Sequence, residues 1–517
     1  MEKGRKGISI GMAVVMSIMA AGCAVKGDIN RGKEGEQGEM EEVKSAFVRE
    51  AVGVYEAEDA VWTGNVKVVS NPTKKGYSGT GYVEGFEEET DTCIFTVTIP
   101  EDGFYDLNFR SASKGGEKHN YVSADGEQLG TVLVQDEDFT DSGLNRVYMA
   151  AGEHKVGISK YWGWISLDYL EVLTAEPIDP SLYEVNADLC NPNASEETKR
   201  LYSYLCDIYG EKFLSGQFCD TGQNGKEFQV IKKTTGKTPA VLGLDFIEYT
   251  PSRAENGSTG RATDYAIDFW NDGGIVTFCW HWNAPSKYLT GQWFSGFYTD
   301  YTNINLAKIM NGEDTEGYEL LMKDMDAIAA QLLALEEAGV PILWRPLHEA
   351  SGGWFWWGAS GADAYKQLYI LLYDKLTKEY GLDNLIWVWN GQDAEWYPGD
   401  EYVDIIGEDI YPGERVYTSQ ASSYLNAAKN YSKETKLVYL TENGCLFDPD
   451  LARRDGAMWG MWCTWQREFV AKDTSIFTLS EQYTEESMVI KVYEDKDVIT
   501  REDLPDFSTY EIRSNLQ

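Results

Sequence analysis

Basic residues and histidines are scarce in this 517-residue chain, and its cysteines are scattered. Lys and Arg number 45 against 84 Asp and Glu, so the formal net charge is −39, and there are only four His. The charge argues against a nucleic-acid partner, because no basic stripe is available to neutralise phosphates. The eight Cys include no CxxC pair and no Cys/His spacing typical of a zinc site. The composition therefore favours an exported protein with a neutral ligand.

Aromatic residues, by contrast, are abundant. The chain has 17 Trp and 32 Tyr, which carbohydrate binding would explain and dense packing would explain equally well. Its length exceeds what one ordinary hydrophobic core supports, so two or more domains are expected.

The first 50 residues predict export. Residues 1–22 combine a basic start with an apolar stretch too short for a stable membrane span, which is typical of a signal peptide. The sequence AAGC at 20–23 resembles the lipobox of bacterial lipoproteins. It implies a lipidated Cys23 that anchors the protein to the membrane at the cell surface, with simple secretion as the alternative. Residues 23–50 are rich in Gly, Glu and Lys and predict a flexible tether.

Residues 51–174 predict an all-β domain. Short alternating runs at 93–99, 105–110 and 155–159 are separated by Gly and Asp turns, and none has helical periodicity. This pattern indicates a β-sandwich of the jelly-roll type.

After a linker at 175–191, residues 192–517 alternate apolar strands with helix-like segments such as 318–338 and 362–379. This alternation indicates a parallel sheet and, with eight strands, a (β/α)₈ TIM barrel whose active site lies at the carboxyl ends of the strands. The predicted strands are 213–217, 239–246, 275–281, 342–348, 385–390, 403–409, 437–442 and 458–465.

Two of these strands end in a glutamate. Glu349 follows one strand and precedes a Gly-rich turn and three tryptophans, and Glu442 ends another. Two carboxylates at the carboxyl ends of two barrel strands, with aromatic platforms, are what hydrolysis of a glycosidic bond requires. The alternative is a Glu paired with the nearby Arg345, with tryptophans that fill space. His281 and His348 also close predicted strands, but two histidines do not make a metal-ligand set.

The sequences RPLHE at 345–349, WFWWG at 354–358 and TENG at 441–444 resemble glycoside hydrolase family 26, which consists mostly of β-mannanases. The resemblance covers roughly residues 182–507. It implies a retaining double displacement without a cofactor, in which Glu349 is the acid/base and Glu442 the nucleophile. It also implies substrate-site roles for six further residues: His281, His348, Trp354, Asp409, Tyr411 and Trp465.

The environments of the two glutamates should differ. A hydrogen bond from Tyr411 would favour the ionised form of Glu442, as a nucleophile requires. Apolar walls such as Trp354 should raise the pKa of Glu349, as an acid requires.

The β-domain resembles carbohydrate-binding module family 35 in YEAE at 55–58 and LDYLEV at 167–172. The resemblance implies a structural Ca²⁺ held by Glu56, Glu58 and Asp168, and oxygen ligands suit that ion. The alternative is a set of solvated acids. Trp162 and Trp164 precede the last strand, where they would stack on a sugar, although one of them would serve equally well as core.

The combined prediction is a lipid-anchored, monomeric, endo-acting β-mannanase with a binding module, acting on mannan, galactomannan or glucomannan. The catalytic pair leaves mixed-linkage β-1,3-1,4-glucan and β-1,3-xylan open as substrates. A non-catalytic surface lectin that captures glycans is the alternative from another class, and the presence of both glutamates argues against it.

Overall fold

A computed structural model describes residues 47–69, 72–474 and 477–513. Contacts between residues divide the chain into two units, of which one ends at Ile178 and the other begins at Asp179. The predicted signal peptide, Cys23 and most of the predicted tether lie outside the described residues. Within the described ranges, no helix has both the length and the apolarity needed to cross a bilayer.

The first unit is a β-sandwich, as predicted. One antiparallel sheet has the order β3-β4-β11-β6-β9, with β1 also paired to β11, and the other has the order β2-β5-β10-β7-β8. The strands are β1 (Ala51–Glu56), β2 (Val61–Thr63), β3 (Lys67–Val68), β4 (Val83–Glu84), β5 (Thr92–Ile99), β6 (Gly103–Ser113), β7 (Lys118–Ala124), β8 (Glu127–Val134), β9 (Thr140–Met149), β10 (Gly152–Lys160) and β11 (Ile165–Thr174).

The core of this unit follows from the period of two along each strand. In β5, Phe95 and Val97 are buried whereas the intervening Thr96 is exposed. Phe95 meets Phe109 of the opposite sheet, with ring centroids 6.3 Å apart. The inner faces of the two sheets thus bury their apolar residues against each other, as in other β-sandwiches.

The second unit contains a closed barrel of eight parallel strands, β13 to β20. Its strands, with the flanking pair β12 and β21, are β12 (Phe213–Leu214), β13 (Gly216–Phe218), β14 (Val241–Asp245), β15 (Ile275–Trp280), β16 (Ile342–Pro346), β17 (Leu385–Trp389), β18 (Ile405–Ile410), β19 (Leu437–Asn443), β20 (Trp462–Thr464) and β21 (Val498–Ile499).

The first barrel strand differs from its predicted bounds of 213–217. Residues 213–214 pair with β21 outside the barrel, and the barrel strand runs instead from Gly216 to Phe218. Only Ser215 separates the two pieces and no proline lies between them, so local pattern does not reveal the break. Gly216 approaches β20 so closely that a Cβ there would lie 2.4 Å from the carbonyl oxygen of Trp462. The closure of the barrel at this point therefore requires glycine.

The predicted helix at 318–338 is confirmed as α6, whose first turn is capped by the Asp314 carboxylate accepting from the Gly317 N–H. The predicted helix at 362–379 is an α-helix to Tyr373 and a π-helix from Asp374 to Glu379. The α-helices are α1 (Glu196–Ile208), α2 (Lys226–Thr235), α3 (Pro251–Ala254), α4 (Ala262–Asn271), α5 (Leu306–Met310), α6 (Thr315–Glu337), α7 (Ala362–Tyr373), α8 (Ala421–Asn430), α9 (Pro449–Asp455) and α10 (Glu486–Glu494).

The end of the predicted linker packs on the barrel. The Cys190 N–H donates to the Asp404 carboxylate over 2.6 Å, and the Asn191 side chain donates to the Leu382 carbonyl over 3.1 Å. These contacts lie within the second unit, which begins at Asp179. The segment has no hydrophobic period, so the sequence gives no sign of this docking.

Candidate active site

Two buried glutamates lie at the carboxyl ends of barrel strands. Glu349 follows β16 and Glu442 lies in β19, and their relative exposures are 2% and 3%. Carboxylate oxygens of Glu349, Glu442 and Asp409 all lie within 4.8 Å of one another. Retaining glycosidases place their two carboxyl groups about 5–5.5 Å apart, whereas inverting enzymes leave about 6.5–9.5 Å for a water molecule. The spacing of Glu349 and Glu442 fits the retaining geometry.

The backbone at Glu349 is held in an unfavourable conformation. Leu347 and Glu349 have φ values of 54° and 52°, in the left-handed region that non-glycine residues rarely adopt. The Glu349 N–H donates to the backbone carbonyl of Asn390 over 2.8 Å, which ties the loop to β17. Such strain concentrates at functional sites, where surrounding contacts maintain it.

The Glu349 side chain is built to hold a proton. Burial raises its pKa well above the usual value, and the negative charges of Asp409 and Glu442 raise it further. The Trp354 indole N–H donates to Oε2 over 2.9 Å, while Oε1 is buried without a partner among the described residues. A carboxyl group with its proton on the unpartnered Oε1 is the form that a general acid needs.

The Glu442 side chain receives two strong donors. The Tyr411 hydroxyl donates to Oε2 over 2.6 Å, and the Arg345 guanidinium contacts Oε1. Hydrogen bonds to an ionised carboxylate stabilise its charge. Glu442 is therefore arranged as the anion, in contrast to Glu349.

Asp409 holds Arg345 in position. One carboxylate oxygen accepts from Arg345 over 2.7 Å, and the other accepts from the Thr441 hydroxyl over 2.7 Å. Burial raises the pKa of Asp409 to about 7, although the Arg345 charge acts in the opposite direction. Arg345 therefore spans two carboxylates. The sequence places it at a strand end but does not identify its partners.

The two barrel histidines meet each other. Their Nε2 atoms lie 3.3 Å apart, and Nδ1 of His281 lies 2.6 Å from the Asp245 carboxylate. Burial, together with the nearby charges of Arg345 and His281, lowers the pKa of His348 far below its usual value, so His348 is neutral. Asp245 was not predicted, although it ends β14 just as the other site residues end their strands.

The tryptophans of the site divide into two groups. Trp354 and Trp465 are half-buried and line the cleft, and the Trp465 ring lies 4.7 Å from Phe218. Trp356 and Trp357 are fully buried, and the indole N–H of Trp357 donates to the His348 carbonyl over 2.8 Å. Only the first pair is available to stack on a sugar ring, while the second pair supports the strand end.

In the first unit, the three predicted calcium ligands converge on one loop. The Asp168 carboxylate accepts from the Ser78 N–H over 3.0 Å, and Glu56 accepts from the Ser78 hydroxyl over 2.7 Å. Glu58 accepts from the Thr80 N–H over 2.5 Å, and its second oxygen is buried without a partner among the described residues.

The electrostatics of this cluster fit a cation. Burial raises the pKa of Asp168 to about 6, and the charges of Glu56 and Glu58 add to this effect, while Arg110 opposes it. Three carboxylates with one orphaned oxygen form the kind of hard oxygen set that Ca²⁺ prefers. The chemistry of these donors is therefore compatible with the ion implied by the sequence.

The two tryptophans of the first unit have different surroundings. Trp162 is half-buried, and its ring packs edge-on against His119 with centroids 4.6 Å apart. Trp164 has a relative exposure of 51% and a φ of 49°. Trp164 is thus the more accessible of the two for a ligand, and Trp162 is partly core.

Comparisons with known proteins give matches over both units. A family model described as glycosyl hydrolase family 26 matches residues 190–502, and one described as carbohydrate binding module (family 35) matches residues 53–175. A mannan endo-1,4-beta-mannosidase of Thermothelomyces thermophilus is 40% identical over 420 residues, which is 80% of this chain and 84% of that protein.

Two further matches are similar in extent. Mannan endo-1,4-beta-mannosidase B of a Piromyces species is 33% identical over 89% of this chain and 79% of its own length. The crystal structure of a Podospora anserina GH26-CBM35 beta-(1,4)-mannanase aligns with a TM-score of 0.60 and 37% identity, over 88% of this chain and 99% of that one.

Proposed function

Because this chain belongs to glycosyl hydrolase family 26, we propose that it hydrolyses internal β-1,4 bonds of mannan-type polysaccharides with retention of configuration. The observation that carries the proposal is the separation of at most 4.8 Å between oxygens of Glu349 and Glu442. These carboxyl groups also occupy opposite electrostatic environments. The mannan substrate is supported by the names of the similar proteins, which are mannan endo-1,4-beta-mannosidases.

In the first step, the Glu442 carboxylate attacks the anomeric carbon and the bond to the leaving oxygen breaks. Glu349 transfers its proton to that oxygen, so the leaving sugar departs as a neutral alcohol. Arg345 and Tyr411 keep Glu442 in place for the attack, and neither group has to move.

In the second step, Glu349 acts as a base. Its carboxylate takes a proton from water, the water oxygen bonds to the anomeric carbon, and Glu442 leaves as the carboxylate. The Trp354 N–H, 2.9 Å from Glu349 Oε2, stabilises the transient anion. Because Glu349 returns to its protonated form, the cycle closes without an external acid.

The test compares sugar release from β-1,4-mannan, mixed-linkage β-glucan and β-1,3-xylan. We expect short oligosaccharides from mannan, galactomannan and glucomannan. The variants E349Q and E442Q should lose activity while E408Q keeps it, because Glu408 is a buried glutamate in β18 that belongs to neither catalytic role. Release from glucan or xylan instead would overturn the substrate. Release from none of the three, with polysaccharide retained in pull-down, would favour a lectin.

We further propose that the first unit binds polysaccharide and is stabilised by Ca²⁺ held by Glu56, Glu58 and Asp168. The orphaned oxygen of Glu58 and the raised pKa of Asp168 support this ion. Added Ca²⁺ should raise the unfolding temperature of the wild-type protein but not that of D168N. An equal response in both proteins would contradict the proposed ligands.

Export with a lipid anchor at Cys23 is proposed from the sequence, since the apolar run before AAGC fits a lipoprotein signal. Metabolic labelling with palmitate should mark the wild-type protein, and C23S should be unlabelled and released from the membrane. Equal labelling of both proteins would refute the anchor. Size-exclusion chromatography with light scattering should give the mass of one chain.

A further inference from the structure

Besides Asp409 and the catalytic pair, a further carboxylate contacts a residue of the site. Asp245, the last residue of β14, has a side-chain exposure of 10%. Its Oδ2 lies 2.6 Å from Nδ1 of His281, and its Oδ1 accepts from the backbone N–H of both His281 and Ile247, over 3.1 and 2.9 Å. The carboxylate is therefore held on one side by backbone donors and presents a fixed acceptor to one ring nitrogen.

The contact with Asp245 determines which nitrogen of His281 carries a proton. Because Nδ1 faces a carboxylate oxygen, it must be the donor, and Nε2 then points to Nε2 of His348, 3.3 Å away. A contact between two imidazole nitrogens requires one proton between them. In the neutral pair that proton belongs to His348, which then donates from Nε2. Burial acts to lower the pKa of His281, but Asp245 raises it, and once His281 is protonated it is His281 that donates from Nε2.

The same assignment satisfies His348. Its Nδ1 is buried without a partner among the described residues, so a proton there would be an unsatisfied buried donor. With its proton on Nε2, His348 avoids this cost. The charge on Asp245 thus selects compatible tautomers in both rings, and the second ring belongs to the residue immediately before Glu349.

The His281 ring is also packed among aromatic side chains. It lies edge-on to Phe297 and Phe355, with centroids 5.1 and 5.5 Å away, and 5.8 Å from the Trp465 ring that lines the cleft. A 180° flip of the ring would put Cδ2 in the place of Nδ1 and Cε1 in the place of Nε2, and so would remove both nitrogen contacts. The aromatic contacts constrain the ring plane but do not distinguish its two edges, whereas the charged, 2.6 Å contact with Asp245 does.

We infer that Asp245 is a positioning residue, which sets the orientation and tautomer of His281 and, through it, those of His348 beside the acid/base. The inference rests on the proposed function. Cys279 lies against the same ring, with Sγ 3.9 Å from Nδ1, and the charges of Glu442 and Arg345 also act on it. Asp245 is the group in direct hydrogen-bond contact with Nδ1.

The test uses D245N with D324N as the matched control. An amide in place of the Asp245 carboxylate offers N–H donors to Nδ1 and favours the opposite tautomer. Asp324 is also buried, and it also contacts a residue just after β15. That residue is Trp282, whose indole N–H donates to the Asp324 carboxylate over 2.8 Å, and not a histidine. D245N should lower kcat by roughly 100-fold with a much smaller change in KM, whereas D324N should not.

A second measurement separates positioning from simple loss of structure. The chain has four histidines, so ¹⁵N-labelled imidazoles can be followed individually by NMR. In the wild type, His281 should show a hydrogen-bonded Nδ1 proton, and D245N should abolish it while the signals of His119 and His154 in the first unit stay unchanged. In D245N, the pKa measured for His281 should fall by about one unit or more.

Two results would overturn the inference. One is an unchanged His281 signal and titration in D245N, whatever the activity. The other is a loss of activity in D245N that D324N reproduces. Because the NMR readout does not depend on turnover, a failure of the proposed mannanase activity in the wild-type protein would be recognised separately.

Discussion

Replacing Asp409 by asparagine should shift the pH at which the enzyme loses activity on its alkaline side. Burial is the main cause of the raised pKa of Glu349, and the charge of Asp409 is the next. D409N removes that charge and keeps the shape of the side chain. Glu349 should then release its proton at lower pH, so the basic limb of kcat/KM should move towards acid.

The size of the shift follows from the separation. At 4.8 Å, the upper limit for one oxygen of each group, two unit charges interact by about 3.5 kcal/mol at an effective dielectric constant of about 20, which corresponds to about 2.5 pKa units. Arg345, which contacts Asp409, offsets part of this effect. The pKa of Asp409 of about 7 also means that it is only partly charged near neutrality. A shift of about one unit is therefore expected.

The assay is kcat/KM on a soluble manno-oligosaccharide between pH 4 and 10. E408Q is the control, because Glu408 precedes Asp409 in β18 and its side chain faces the opposite side of the strand. Its basic limb should coincide with that of the wild type. A D409N profile with an unmoved basic limb, or an equal shift in E408Q, would refute the assigned cause of the raised Glu349 pKa.

Three further changes have defined outcomes. Y411F should lower kcat by about 10- to 100-fold, because a hydrogen bond to a charged group contributes about 1.5–3 kcal/mol. Y439F is the control and should keep its kcat, since the Tyr439 hydroxyl is buried without a partner among the described residues. Equal losses in the two variants would contradict the role of Tyr411. With Ca²⁺ removed by EDTA, the first unit should lose stability as pH rises from about 4 towards 6. The reason is that folding raises the pKa of Asp168 to about 6, so the folded state binds this proton more tightly than the unfolded chain does. Ca²⁺ should remove this dependence in calorimetry, and its persistence with Ca²⁺ would contradict the site. W164A should weaken retention on insoluble mannan more than W162F does in a pull-down assay, and the reverse order would identify Trp162 as the main contact.

The barrel and the positions of its two glutamates were predictable from local pattern. An apolar strand that ends in a charged residue places that residue at one edge of a parallel barrel, whatever its neighbours are. Glu349 and Glu442 satisfy this rule, and the structure brings them together. The β-sandwich was predictable for the same reason, because residues such as Phe95 and Val97 alternate with polar ones.

The partners of the site residues were not predictable in the same way. Arg345 reaches Asp409 and Glu442 across intervals of 64 and 97 residues, and the distances depend on the register of three strands. Asp245 meets His281 because β14 and β15 are adjacent in the barrel. Sequence spacing does not encode these pairings. Strand ends that carry a carboxylate, such as Asp245, are the available signal.

The break between residues 214 and 216 has a different origin. Only Ser215 separates the two pieces, and the barrel strand starts where a glycine lets β13 approach the backbone of β20. The docking of residues 190 and 191 likewise depends on backbone and amide hydrogen bonds rather than on an apolar face. Neither feature alters the hydrophobic period that sequence reading uses.

In the proposed mechanism, Glu442 attacks the sugar while Glu349 supplies the proton, at a carboxylate separation suited to retention. The most direct measurement is ¹H NMR of the newly formed anomeric centre during the first minutes of hydrolysis of a β-1,4-manno-oligosaccharide. We expect the β-anomer to accumulate first and the α-anomer to appear only by mutarotation. Initial formation of the α-anomer would mean inversion, and would contradict the assignment of Glu442 as a nucleophile.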